Sequence, residues 1–250
     1  MTELFAFTRF EVGRLLRSWK FLITTVGFPV IFYMLFLGNH TAGRLIDGTV
    51  PWRTFLMVSM CSFGALVAGL TAGGARLSAE RGSGWARQMR VTPLPGWSYA
   101  ATKLAASMLI ILPVVGLVEV VGAGFGGVNL SVGTWLELTG LLWASALPLA
   151  ALGVLIGYLV NGETAFPVVT GLMFVLGYFG GLFTPVGDMP APLQMVARVL
   201  PNFHHAALSL ALLDGHGFGL ENWLVLAGYA AMFGVLLAVK QRFEGSRALA

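Results

Sequence analysis

Apolar residues fall into six blocks along the chain, at 21–37, 54–75, 104–127, 138–160, 164–187 and 222–239, and the shorter stretches between them hold most of the charge. A helix needs about 20 mainly apolar residues to cross the hydrocarbon core of a bilayer. Blocks 54–75, 138–160 and 164–187 reach that length without an ionised side chain, 21–37 and 222–239 lie near the short limit, and Glu119 interrupts the third. The pattern predicts an all-α integral membrane protein of six transmembrane helices. These helices and their connections use nearly all 250 residues, so the expectation is a single transmembrane domain over 1–250.

The connections carry patterns of their own. Over 3–20, Phe5, Val12, Leu15, Leu16 and Trp19 recur at helical spacing beside Arg9, Arg14 and Arg17. This predicts an amphipathic helix lying in the headgroup layer ahead of the first span. Connection 76–103 mixes five cations with Glu80, Trp85 and Met89 before Thr92-Pro93-Leu94-Pro95-Gly96, and a short helix over 78–90 that stops before Pro93 fits the backbone restriction ahead of proline. Connection 184–221 is not polar. Prolines 185, 190, 192 and 201 punctuate two apolar stretches of about ten residues, too short to span and predicted to be re-entrant or interfacial helices.

Charge sets the orientation. Twelve of the fifteen Lys and Arg fall on one side if both termini are cytoplasmic, leaving only Arg44, Arg53 and Arg198 outside. Such a Lys/Arg bias is what orients short loops. Trp19, Trp52, Trp97, Tyr99, Trp135, Tyr158 and Trp223 sit at or near the expected span ends, as interfacial rings do. The formal charge of +4 is thus a topogenic signal, and nucleic acid is not an expected partner. Only 10% of residues are charged, far below the roughly 25% of a soluble domain. One cysteine, Cys61, excludes an intrachain disulfide. The glycines of the second block, Gly64, Gly69, Gly73 and Gly74, suit close helix packing, while Pro29, Pro113, Pro148 and Pro167 each fall within a span.

Chemistry-bearing motifs are sparse. None of Lys20, Lys103 and Lys240 follows a glycine, so the phosphate-binding Gly-Lys-Ser/Thr loop is missing. His204, His205, Asp214 and His216 do not have the spacing of a metal site and read as interfacial polar residues; no nucleophile motif surrounds Ser209. Glu119 is open to two readings, an interfacial or structural carboxylate and a group in a transport path.

Three motifs resemble the permease subunits of type 2 ABC transporters, mainly exporters. Arg9-Phe10-Glu11 through Arg14, Arg17 and Trp19, followed by Pro29, is similar to that family's interfacial entry helix. Glu80-Arg81-Gly82-Ser83-Gly84-Trp85, continuing to Met89-Arg90-Val91-Thr92-Pro93-Leu94, resembles its cytoplasmic coupling segment. Gly180-Gly181-Leu182-Phe183-Thr184-Pro185, then Met189-Pro190 and Leu200-Pro201, resembles its outer signature. The resemblance covers essentially the whole chain.

It implies a half-transporter in a bacterial cell membrane. Two permeases, identical or paralogous, pair as a dimer, and each docks a separate ATPase that binds ATP and Mg; the chain itself is not an enzyme and needs no cofactor or metal. The segment 78–92 is expected to couple through Glu80, Arg81, Trp85, Arg87 and Met89, with Arg9, Glu11, Arg14 and Arg17 on the entry helix and Pro185, Pro190, Pro201 and Phe203 at an outer gate over helices in 188–215. Met57, Met60, Phe63, Glu119, Phe174, Tyr178 and Phe179 are the expected pathway residues. The implied cargo is a hydrophobic or amphipathic drug, antibiotic-like metabolite or lipid-linked molecule. A proton-coupled secondary transporter using Glu119, or a non-transporting membrane enzyme or sensor subunit, are the competing readings.

Overall fold

The computed structural model describes residues 2–38, 44–46, 48–83, 96–215 and 219–247. Trp85, Arg87 and Met89, the rest of 84–95, and His216 therefore lie outside the described residues. Among the described residues, helices and their connections make up the fold apart from a two-stranded hairpin, β1 (Leu45–Ile46) against β2 (Val50–Pro51).

Helix α1 (Thr2–Leu16) precedes α2 (Ile23–Leu37), which the short turn Trp19–Leu22 introduces. Pro29 offers no N–H to the Thr25 carbonyl, and the widened π-helical turn Ile23–Gly27 ends directly before Phe28–Leu37. After the hairpin come α3 (Trp52–Gly82), α4 (Gly96–Gly124), α5 (Val132–Ser145), α6 (Leu147–Leu159) and α7 (Gly162–Phe179). A 3₁₀ turn, Val186–Asp188, leads to α8 (Ala191–Val199), α9 (Pro201–Leu213) and α10 (Leu220–Arg247). Among the described residues, five stretches are long and apolar enough to cross a membrane: Trp52–Gly82, Trp97–Gly124, Val132–Leu159, Gly162–Phe179 and Leu220–Arg242; Ile23–Leu37 is a shorter apolar helix. The protein is an all-α membrane protein.

Pro148 sits in the first turn of α6, where its missing donor costs nothing, and the crossing Val132–Leu159 is broken at Ala146 just before it. Near Pro113, which lies inside α4, the Met108 carbonyl accepts a hydrogen bond from Trp143 Nε1 at 2.8 Å, so α5 supports that helix.

Helix α3 is the axis of the molecule. Its apolar stretch is buried throughout, whereas little of that of α10 is buried. The reason is residue size. Within α3 the segment Gly69–Ala75 is π-helical, and the Thr71 hydroxyl takes up the Val67 carbonyl at 2.6 Å, a side-chain bond that competes with the helical ladder. Gly69 and Gly73 there face Gly153 and Gly157 of α6. A Cβ on Gly157 would stand 2.6 Å from the Gly73 oxygen, one on Gly69 2.9 Å from the Leu149 oxygen, and one on Gly153 would overlap the Gly69 carbonyl. Backbones at this separation gain dispersion contacts that bulkier residues would forbid.

Six rings, Phe28, Phe32, Phe36, Phe63, Phe174 and Phe183, join α2, α3, α7 and the turn after α7; the Phe63 and Phe183 centroids are 4.9 Å apart, edge to face. Outward from this cluster, Phe28, Ile31, Met34 and Leu35 of α2 and Phe166, Phe174, Val175 and Tyr178 of α7 are exposed.

Candidate coupling site

A 31-residue α3 is about 46 Å long, roughly 15 Å more than a hydrocarbon core. With Trp52 at one interface, the Arg76–Gly82 end must project past the other. The helical parts of α3 and α4 reach into the connection from both sides, leaving 84–95 between them.

Five side chains from three helices meet at this end. Lys103 of α4 is 1% exposed, and its Nζ lies 2.7 Å from Glu11 Oε1 of α1 and 2.6 Å from Glu80 Oε2 of α3. Arg14 Nη2 donates to both Glu11 oxygens, at 2.8 and 2.9 Å, and also to Glu80 Oε1. The Tyr99 hydroxyl donates to Glu80 Oε2 at 2.7 Å, with the Lys103 ammonium 5.5 Å from the Tyr99 ring centroid. Glu11 and Glu80 are 2% and 8% exposed. Burying charges is costly, and only pairing with full hydrogen bonding offsets it. Here two carboxylates meet two cations, so the cluster is balanced. Burial works against the Arg14 charge, but the hydrogen bonds to Glu11 and Glu80 outweigh it and raise that guanidinium above its ordinary range.

The neighbouring residue points elsewhere. Arg81 places its guanidinium carbon 4.4 Å from the Tyr158 ring centroid of α6, a cation–π contact. Ser78 Oγ donates to the Val160 carbonyl at 2.5 Å, and Gly82 packs near Gly162 at the start of α7. The end of α3 is thus held by α1, α4, α6 and the first turn of α7 at once. Of the residues named from sequence, Glu11, Arg14 and Glu80 come together here, Arg81 turns to Tyr158, and Arg9 on α1 and Arg17 just after it stay exposed.

The chemistry-bearing residues at the other end form a brace. Asn202, in the first turn of α9, donates from Nδ2 to the Leu176 carbonyl at 2.7 Å, satisfying the last turn of α7. Gly181, at φ +78°, turns the chain back, and a Cβ there would strike Val186. Pro185 precedes the 3₁₀ turn, Pro190 precedes α8, Pro201 begins α9, and Phe203 is half-buried on α9.

His205 is fully buried and not interfacial: its ring nitrogens meet Ser62 Oγ of α3 and the Leu142 carbonyl of α5, each at 2.9 Å. His204 bonds Asn222 and the Arg198 carbonyl, both at 2.7 Å. Replacing His205 with Ala leaves a buried hydroxyl and a carbonyl without their partner, at about 1–3 kcal/mol for each group. A clear fall in the thermal unfolding midpoint of the purified protein is expected; an unchanged midpoint would contradict the bracing role.

The expected pathway residues are divided. Met57, Met60 and Phe63 are buried within the core around α3, and Phe174 and Tyr178 are exposed on α7 with Phe179 beside them. Glu119 is buried between α4 and α5, its Oε2 accepting from Thr139 Oγ1 at 2.6 Å.

Sequence reasoning missed Lys103, Tyr99, Asn202 and His205. The first two carried a signal: Tyr99 and Lys103 are four apart on one helix, as Glu11 and Arg14 are three apart on another, and each spacing puts both residues on one face.

Comparison with known proteins identifies the family. Residues 39–239 match the family described as "ABC-2 family transporter protein". The chain is also 29% identical over 228 residues to "Putative transport permease YvfS" of Bacillus subtilis (strain 168), covering 90% of this chain and 91% of that protein. With the family match spanning most of a chain whose helices cross a membrane around one buried axis, the protein belongs to the ABC-2 transporter family and is a membrane permease of an ABC transporter, the kind of subunit that works with an ABC ATPase.

Proposed function

We propose that this permease exports a hydrophobic or amphipathic compound from the cytoplasm or inner leaflet, as one half of a dimer whose ATPase subunits hold the ATP and Mg and dock at 78–92. The observation that carries this reading is the buried cluster of Glu11, Arg14, Glu80, Tyr99 and Lys103. It ties the entry helix to both arms of the 84–95 connection. A push on that connection then displaces α1, α3 and α4 together, which is the behaviour a transmission element needs. The joined exposed faces of α2 and α7 support pairing of two permeases, because a large apolar surface is covered by lipid or by a partner. The scarcity of ionisable groups in the spans supports an apolar or amphipathic cargo over a strongly charged one. The Lys/Arg distribution supports cytoplasmic termini, and the Bacillus relative supports a bacterial cell membrane.

The test is co-expression with the candidate ATPase and purification on a tagged permease. Vanadate-sensitive ATP hydrolysis is expected to follow the permease, and replacing Trp85 and Met89 with Ala is expected to lower it about tenfold by removing apolar anchors from the docking surface. Failure to retain any ATPase would sink the reading. Glu119→Gln distinguishes the proton-coupled alternative: ATP-driven transport should survive it, whereas transport that needs a proton on Glu119 should not.

A further inference from the structure

A cleft of about 430 Å³ opens among the hairpin, the start of α3, the turn after α7, and helices α8 and α9. Its walls include Phe55, Phe203 and Leu210, and its polar lining includes Arg198 and Asp214. That size lies within the range of small-molecule sites, which pair mostly apolar walls with a few placed polar groups. The three arginines assigned to the outer side are not equivalent. Arg44 pairs with Asp188 and lies over the Trp52 ring, and Arg53 donates to the Gly126 carbonyl at 3.3 Å. The exposed Arg198 guanidinium meets no carboxylate among the described residues, although its own carbonyl is held by His204. A cation and an acid therefore line one apolar cleft.

We infer that this outer cleft binds an amphipath with a zwitterionic head, its anionic group on Arg198, its ammonium toward Asp214, and its apolar portion against Phe55, Phe203 and Leu210. A guanidinium forms strong charge-assisted bonds with phosphate or carboxylate, and the nearby acid disfavours a head with negative charge alone. The walls suit a flexible chain because they are carbon-rich and braced: α9 is fixed by Asn202 and His205 to α7, α3 and α5. Two sources share this head chemistry, a zwitterionic phospholipid (phosphate and ammonium) and an acylated amino acid or peptide (carboxylate and ammonium). The inference does not depend on the direction of transport or on the ATPase.

The test uses the full chain in phosphatidylglycerol nanodiscs without ATPase. Two probes carry a photoactivatable group in the tail: lysophosphatidylethanolamine and Nα-palmitoyl-lysine. Saturable labelling of peptides from 203–214 is expected, and whichever probe saturates at lower concentration identifies the source. Arg198→Gln removes an exposed side chain and should weaken labelling about tenfold, the loss expected for one charge-assisted bond. Ala211→Trp should abolish it by filling the cleft, in protein whose gel-filtration profile is unchanged. Asp214→Asn should shift preference about tenfold toward lysophosphatidylglycerol. Non-saturable labelling spread along lipid-facing α10, or labelling at 203–214 that survives Arg198→Gln at full strength, would overturn the proposal.

Discussion

Replacing Lys103 with Met is expected to destabilise the permease by about 3–5 kcal/mol, the cost of removing one partner from a buried ion pair. Glu11 and Glu80 both rely on that ammonium, and Met fills the same space without supplying charge. Among the described residues, Arg14 would be left as the one cation in direct contact with the two buried carboxylates, and it is more exposed than Lys103. The loss should appear as a lower unfolding midpoint and, in the assembled transporter, as ATP hydrolysis no longer stimulated by the permease. Lys103→Arg, which keeps the charge, should retain most of both. The pairing makes a further demand: once Lys103 is Met, Glu80→Gln should restore part of the stability, because it removes a charge that has lost its partner. Independent, additive effects of the two changes would show that the residues do not act together.

Replacing Gly153 with Leu is expected to have an effect at least as large, about 3 kcal/mol or more, and to prevent correct folding at ordinary expression temperatures. The Cβ alone would overlap the Gly69 carbonyl, and backbone cannot swing aside as a flexible side chain can. Gly157→Ala, with its Cβ 2.6 Å from the Gly73 oxygen, should be milder but still damaging. Gly140→Ala and Gly228→Ala are the controls. Each meets nothing within 4 Å, so both should be neutral or slightly stabilising through better helix propensity. Yield of monodisperse protein and its unfolding midpoint measure all four. Equal tolerance at Gly153 and Gly140 would mean that the α3–α6 crossing is not as close as described.

Much of this architecture can be read in the order of apolar blocks, because hydrocarbon thickness fixes how many apolar residues a crossing requires. The cation asymmetry and the proline-punctuated outer segment likewise carry a message in one dimension. Glu11, Arg14 and Glu80 are visible through family resemblance. Their function as one cluster is not, because Lys103 reads locally as one more cation at the edge of a span. Only the approach of α1 to the ends of α3 and α4 turns four ordinary boundary charges into a buried network. His205 was obscured for a similar reason. A histidine in a short helix outside the main spans reads as interfacial, and nothing nearby in sequence announces Ser62 or the Leu142 carbonyl. The glycines of α3 signalled close packing, yet their partners Gly153 and Gly157 had to be found in space.

The central claim is that α1 and the end of α3 move as one body when the ATPase acts. Spin labels at the exposed positions Arg9 and Ala79, on a Cys61→Ser background, measure the separation between those helices in the assembled transporter. The distance distribution should stay the same between the nucleotide-free and vanadate-trapped states of the otherwise unchanged protein, and should broaden in Lys103→Met. A shift of several ångström between the two states in actively hydrolysing protein with Lys103 intact would contradict the account.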